Sequence, residues 1–353
     1  MPPAFVPEIC QKLGYTQPRP APQRNPSTAP FACADVRGRA VVHGVVNHRR
    51  IEGKDGVADS IPAGWTGRAG FSSIRPGRIL VSNRTGGADQ GGDWPLGLAP
   101  LVSTQPLKGG FICSTLGGRL ADGREVVVKR CPYPAEVEAD GLAALAAAGA
   151  PVPAVLGIAS QVLVLERVGG PPDWPALGWA IARLHRTTGD RFGWHRDNFQ
   201  GMTTQPNGWC DDWPSFYVER RVRVHLADPK IPEPLRRRID RACDGPLPAL
   251  LRPRPPASLT HGDLWAANVV EGRWLVDPAV SFADRELEVA YMQLSNSLPA
   301  ELLDAYLEAW PPDPGYEQRR PALQLHKFLN NIRHFGPDRY VSRIEAVLDS
   351  YGW

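Results

Sequence analysis

His261-Gly262-Asp263-Leu264-Trp265-Ala266-Ala267-Asn268 is the stretch on which the reading of this chain turns. It sets a carboxylate and a carboxamide five residues apart, just after Ser258-Leu259-Thr260, which reads as a short strand. Beyond it, Val269-Val270 and Arg273-Trp274-Leu275-Val276 read as a hairpin turning at Glu271-Gly272, and Asp277 follows, ahead of Pro278. A loop held between a strand and a hairpin can aim Asp263, Asn268 and Asp277 at one point. Phosphoryl transfer asks a protein mainly for position and charge neutralisation: a carboxylate to accept a hydroxyl proton, oxygen ligands for Mg²⁺, and a cation for the nucleotide phosphates. Asp263 is therefore the candidate base, Asn268 and Asp277 are the candidate Mg²⁺ ligands, and ATP is the expected donor. His-Gly-Asp by itself is a common turn. The complete run, with the hairpin and the second aspartate behind it, is far more specific and favours a kinase-type loop.

Upstream, Lys129 ends the apolar run Val126-Val127-Val128, where an ammonium can meet phosphates. Gly110 to Leu116 and Arg124 to Lys129 read as a hairpin with Asp122-Gly123 at its turn. Glu136 to Ala148 reads as a helix that places Glu138, Leu142 and Leu145 on one face, with Gly149 as its stop. Glu138 is thus the better partner for Lys129, and Glu136 is its competitor. Gly109-Gly110 stands at the entrance of the first hairpin, where backbone amides can approach phosphates. Glu166 to Val168 follows the apolar strand Gln161 to Glu166 and falls where a hinge would pair with adenine. No Gly-x-x-x-x-Gly-Lys-Ser/Thr occurs, which excludes a Walker-type phosphate loop.

The remainder suits a larger helical part. Trp174 to Thr188 carries Leu177, Ala180, Ile181 and Leu184 along one stripe. Ser215 to Leu226 and Leu235 to Cys243 are further helices, and the segment from Glu286 onward reads as two or three more, broken by prolines. Residues 1–98 are different in kind. Their proline-rich and glycine-rich composition sustains no periodic pattern beyond one short strand candidate at Arg39 to Val46. They read as a low-order extension, a small module, or the product of a start placed too early.

Composition narrows the class. With 42% hydrophobic and 22% charged residues the chain is that of an ordinary globular protein, and a net charge of +3 argues for neither nucleic acid nor membrane as partner. No uncharged apolar run reaches the roughly 18 residues of a membrane helix. The six cysteines include no Cys-x-x-Cys pair, and the first residues lack a charged start followed by an apolar run. Reduced thiols in a cytoplasmic protein are the expectation. Only six of the 40 basic residues are lysines, at 12, 54, 108, 129, 230 and 327, so a well-placed lysine stands out.

Taken in order, these residues resemble the fructosamine kinase (ketosamine-3-kinase) family, a branch of the aminoglycoside and choline phosphotransferase-like kinases. The resemblance spans roughly residues 105 to 351. Besides the loop it rests on Pro106-Leu107-Lys108-Gly109-Gly110, on Asp197 to Asn207, on Trp213 to Arg221, on Asp277-Pro278-Ala279-Val280 and on Arg285-Glu286. The tryptophan after His-Gly-Asp-Leu is the mark of this branch. The resemblance implies an α+β, two-lobed protein-kinase-like fold, with a small β-rich lobe at 99–168 and a mainly helical lobe with a substrate-binding insert at 169–353. It implies ATP-dependent phosphorylation of a small-molecule ketosamine whose product decomposes and frees the amine. By position, Asp263 would be the base, Asn268 and Asp277 the Mg²⁺ ligands and Lys129 the phosphate-binding lysine. Trp265, His261, Asp197, Gln205 and Trp213 would lie on the substrate side. Two departures stand beside the metal loop: Ala283-Asp284 replaces the family's Gly-His, and Glu288 replaces an aspartate. A kinase for an aminoglycoside, choline or a plain sugar is the alternative enzyme reading. A non-catalytic kinase fold is the alternative outside enzymes, weakened by the joint presence of Lys129, Asp263, Asn268 and Asp277.

Overall fold

The computed structural model describes residues 93–107, 112–295 and 297–353. Gly109 and Gly110, the strand candidate at 39–46, and the extension up to residue 92 lie outside the described residues.

Five strands form one sheet in the order β1-β2-β3-β5-β4: β1 Leu101–Pro106, β2 Ser114–Leu120, β3 Glu125–Arg130, β4 Val155–Ile158 and β5 Val162–Glu166. All neighbours are antiparallel, and Lys129 pairs with Thr115 on one side and Leu163 on the other. The turn between β2 and β3 is built as the Asp-Gly pair predicts, with Gly123 at φ 91°. Strand β2 runs four residues further than the sequence reading of a strand to Leu116, taking in Gly117 and Gly118. A Cβ on Gly118 would sit 2.9 Å from the Ser103 carbonyl, so β1 can approach only because that side chain is missing. Trp94 and Leu98 pack with Leu120, Val126, Val128, Val162 and Val164 on one face of the sheet.

Helix α1, Ala135–Ala147, crosses the other face and buries Ala139 and Leu142 against Leu163 and Leu165. Glu138, Leu142 and Leu145 share its buried face, as their spacing predicts. The expectation of reduced cysteines is corrected at one pair: Cys113 and Cys131 form a disulfide. Ser114 pairs with Arg130 across β2 and β3, so the next residue out on each strand comes opposite the other, with 4.4 Å between Cα atoms. Cys210 and Cys243 are free thiols.

The helical part begins with α2, Trp174–His185, capped by Asp173, whose carboxylate accepts from the Ala176 N–H. Short strands β6 Thr188–Gly189, β7 Asn198–Gln200 and β8 Thr203–Gln205 follow, the last two as a hairpin. The segment expected as one helix from Ser215 is instead α3, Trp213–Tyr217, continued by a π turn at Val218–Val222 and a 3₁₀ turn at Arg223–His225. The widened turns let the fully buried Arg221 reach the Pro206 carbonyl, Asn207 and Ser281. Then come α4 Glu233–Cys243, α5 Pro246–Leu250, β9 Ala257–Thr260, β10 Val269–Val270, β11 Trp274–Leu275 and β12 Ser281–Ala283. Four helices close the described chain, one or two more than expected: α6 Arg285–Ser295, α7 Ala300–Ala309, α8 Tyr316–Phe335 and α9 Val341–Tyr351. One large apolar cluster, from Ile181 and Trp213 to Leu329 and Leu348, binds these elements together. No helix among the described residues is long and apolar enough to cross a membrane.

Candidate active site

The loop from His261 to Asn268 leaves β9 and runs into a 3₁₀ turn at Ala266–Asn268 before the β10–β11 hairpin. That hairpin turns on Glu271 and Gly272, both at positive φ, with Arg273 N–H donating to the Val270 carbonyl at 3.1 Å and Val270 paired with Trp274. Gly262, at φ 84°, is the point of closest approach: a Cβ there would lie 2.0 Å from the Ala279 carbonyl oxygen. The loop and the segment that follows Asp277 are thus pressed together by backbone contact, and Ala279 N–H donates to the His261 carbonyl at 2.8 Å.

Asp263 is mostly buried, and both of its carboxylate oxygens have donors. Asn268 Nδ2 donates to Oδ2 at 3.0 Å and to the Asp263 carbonyl at 2.8 Å, so the five-residue spacing closes into a small ring. Lys327 Nζ donates to Oδ1 at 2.8 Å. Asn268 in turn accepts from Val276 N–H at 3.0 Å through its carbonyl, which ties the loop to the residue before Asp277. Asp277 itself stands at φ 56°, a left-handed conformation rare outside glycine, asparagine and aspartate. From there it meets Lys129 of the sheet. Lys129 also donates to Glu138 at 2.6 Å, and both of these side chains are almost fully buried. Glu136 is exposed and faces Arg196 instead. The structure therefore brings together Asp263, Asn268, Asp277, Lys129 and Glu138, five residues from the two halves of the chain. Helix α1 touches the same place, with Gly141 against Pro278.

The other residues read as functional take several different places. His261 is fully buried; its Nε2–H donates to the Val276 carbonyl at 2.9 Å, and its Nδ1 accepts from Asp263 N–H at 3.3 Å. Burial pushes its pKa down, consistent with the neutral ring that this bonding pattern needs. Trp213 lies in the apolar core beside Phe192, Phe216 and Tyr217. Gln205 is buried and donates to Asn198 Oδ1 and to the Ala279 carbonyl. Asp197 is exposed and closes the β7–β8 hairpin by accepting from Asn207 N–H at 2.8 Å. Trp265, within the loop itself, is half-buried. Glu166 ends β5, and Val168 follows it in the connection to α2, where Trp274 Nε1 donates to the Gly169 carbonyl.

Several residues that motif reading passed over hold the loop in place. Glu288 accepts from His261 N–H at 2.9 Å and Gly262 N–H at 2.7 Å, and is paired with His185 at 2.9 Å. Burial raises the Glu288 carboxyl, but His185 and those amides outweigh it and hold its pKa below the ordinary glutamate value. The departure from aspartate at 288 therefore keeps an anchoring carboxylate. Its neighbour Asp284 is buried in a two-point pair with Arg252. Gln200 donates to the Gly262 carbonyl at 2.7 Å, and Asn198 donates to the Val280 carbonyl at 2.8 Å. The β7–β8 hairpin is thus a brace across the loop and the segment after Asp277. The only sequence signal for these residues was their place within quoted stretches or at a noted departure.

As a donor set for a metal, Asp277 and Asn268 offer hard oxygens and no sulfur or imidazole, which suits Mg²⁺. No group of three or more histidine, cysteine or acidic side chains fit to hold an ion occurs among the described residues.

Comparisons with known proteins bear on the family and the fold. A family model described as fructosamine kinase matches residues 129–351. A "Probable ketoamine kinase" of Synechocystis is 35% identical over 224 residues, covering 57% of this chain and 73% of the relative. One of the same description from Enterococcus faecium is 33% identical over 232 residues, covering 61% and 82%. A crystal structure of a "putative fructosamine-3-kinase" from Thermobifida fusca superposes with a TM-score of 0.65 at 28% identity, covering 71% of this chain and 93% of that one. The two-lobed, protein-kinase-like fold expected from the resemblance is the fold found.

Proposed function

The chain belongs to the fructosamine kinase family, and on that premise we propose that it moves the γ-phosphate of ATP to a sugar hydroxyl of a ketosamine, with Asp263 as the base. The observation that carries the reading is the convergence of Asp263, Asn268, Asp277 and Lys129 on one place, with each charge held by a named partner. An acceptor hydroxyl beside Asp263 gives its proton to the carboxylate as its oxygen bonds to the γ-phosphorus. The bond from that phosphorus to the β-γ bridging oxygen breaks, and ADP leaves with the electron pair. Lys129, fixed by Glu138, offers its ammonium to the phosphates, which would draw it from Asp277. Mg²⁺ held by Asp277 and Asn268 would neutralise charge on the phosphate oxygens. Trp265 is the candidate apolar face for the acceptor's C–H surface. The phosphorylated ketosamine then decomposes and frees the amine, a deglycation.

Consumption of ATP by the purified chain with Mg²⁺ tests this against fructoselysine, ribuloselysine, aminoglycosides, choline and free sugars. Turnover of a ketosamine is the expected result; turnover of choline or an aminoglycoside alone would reject the acceptor class. Asp263→Asn is expected to cut kcat by about three orders of magnitude or more while nucleotide binding survives. Near-normal turnover in that variant would remove Asp263 from the role.

A further inference from the structure

Lys327 belongs to none of the motifs on which the function rests. It lies on α8, 64 residues beyond Asp263, and is one of only six lysines in the chain. Its side chain is 5% exposed. Burying an ammonium costs several kcal/mol unless its partners are well placed, and a buried pair is weak evidence of stabilisation. The site nevertheless accommodates the charge closely. Nζ lies 2.8 Å from Asp263 Oδ1, 3.4 Å from the Gly262 carbonyl and 3.8 Å from the centre of the Tyr291 ring. Burial draws the Lys327 pKa down and the Asp263 carboxylate draws it back up.

The geometry around Asp263 gives this contact a purpose. Asn268 holds Oδ2 from within the loop, and Lys327 holds Oδ1 from α8. A carboxylate with a fixed donor on each oxygen cannot swing about its Cβ–Cγ bond, yet each oxygen keeps a lone pair for a further donor. We propose that Lys327 is the positioning residue of the base: by fixing Oδ1 it turns the remaining lone pairs of Asp263 toward the acceptor hydroxyl. This rests on the reading of Asp263 as base, and it places a determinant of rate on a helix outside every recognised motif. A misplacement of about 1 Å in such a group can cost on the order of 100-fold in rate.

The test is a set of variants assayed with fructoselysine and Mg·ATP. Lys327→Met is expected to lower kcat by about 100-fold and to leave KM for ATP within about threefold, since the nucleotide side is untouched. Lys327→Arg is expected to recover part of the loss. Truncation to alanine would leave a space the size of the lost side chain, beside a small cleft lined by Tyr291 and Glu288. Ethylammonium should therefore restore about tenfold activity to Lys327→Ala, an effect no purely structural role produces. If the lysine acts through Asp263, the double variant Lys327→Met/Asp263→Asn will be no slower than Asp263→Asn alone. A normal kcat in folded Lys327→Met, additive losses in the double variant, or a loss of ATP binding that accounts for the rate would each overturn the proposal. Should Lys327→Met fail to melt cooperatively, Lys327→Gln and Lys327→Arg carry the same comparison. An active Asp263→Asn would refute the base reading itself, whereas an inactive Asp263→Asn beside an active Lys327→Met refutes this inference alone.

Discussion

The two sides of the candidate active site are held by different means. On the nucleotide side, Lys129 is fixed by Glu138, nine residues along the chain, where a strand and the next helix bring an ammonium and a carboxylate face to face. On the side proposed for the acceptor, the local contacts of the loop from His261 to Asn268, such as Asp263 N–H to His261 Nδ1 and Asn268 to Asp263, are joined by long-range ones. The loop backbone is held by Glu288 from α6, Gln200 from the β7–β8 hairpin and the Ala279 amide, and its carboxylate by Lys327 from α8. One side rests on a local pair that also reaches Asp277, the other on a net. Losing the Lys129–Glu138 pair has mainly local consequences, since its members belong to one supersecondary unit. A net that fixes backbone amides and carbonyls spreads any loss through the loop and into the fold, because each unmet buried polar group carries its own desolvation penalty.

This contrast can be broken most severely at Glu288. Glu288→Ala leaves the His261 and Gly262 amides and the His185 ring without their acceptor, and is expected to cost about 3–5 kcal/mol in urea unfolding. A loss under about 1 kcal/mol would mean that the net is not what secures the loop. Lys129→Met should behave in the opposite way, lowering kcat/KM for ATP by about 100-fold, roughly 2.7 kcal/mol of transition-state stabilisation, while the acceptor's binding persists. Equal damage to acceptor binding would erase the distinction between the two sides. Gln200→Leu removes the donor to the Gly262 carbonyl and the acceptor for Asn330, and is expected to cost about 1–3 kcal/mol of stability with a modest loss of kcat.

The smallest effect sharpens the comparison through pH. The folded pKa of Glu288 lies below its unfolded value, so its contribution is fully present above the ordinary glutamate value of about 4.3 and is lost as pH falls through the folded value. The stability of the wild type should therefore drop further than that of Glu288→Gln between about pH 5 and about pH 3. Parallel curves would show that the carboxylate is not the anchor described.

Local spacing made much of the site legible. The helical face shared by Glu138, Leu142 and Leu145 singled out the partner of Lys129, because a 3.6-residue period is written into the chain. The turns at Asp122-Gly123 and Glu271-Gly272 were equally plain. Where reading failed, the cause was contact between distant segments. Trp213 and His261 carry side chains suited to substrates, yet one fills the core and the other braces its own loop. Gln205 looked like a binding residue and instead serves the Ala279 carbonyl and Asn198 Oδ1. The π turn at Val218–Val222 answers the reach of Arg221 to the Ser281 segment, which no propensity records.

By itself, then, the sequence determined the chemistry on offer: an aspartate and asparagine at kinase spacing, a second aspartate behind a hairpin, and a strand-end lysine with its glutamate. These are relations over a few residues, and backbone geometry translates them directly into space. The tertiary structure alone decided which groups hold Asp263 and its loop in place. Glu288, Gln200 and Lys327 arrive from 25, 63 and 64 residues away from Asp263, over separations along which no periodicity survives. Their roles exist only because packing of the large apolar cluster sets α6, α8 and the β7–β8 hairpin around one buried carboxylate.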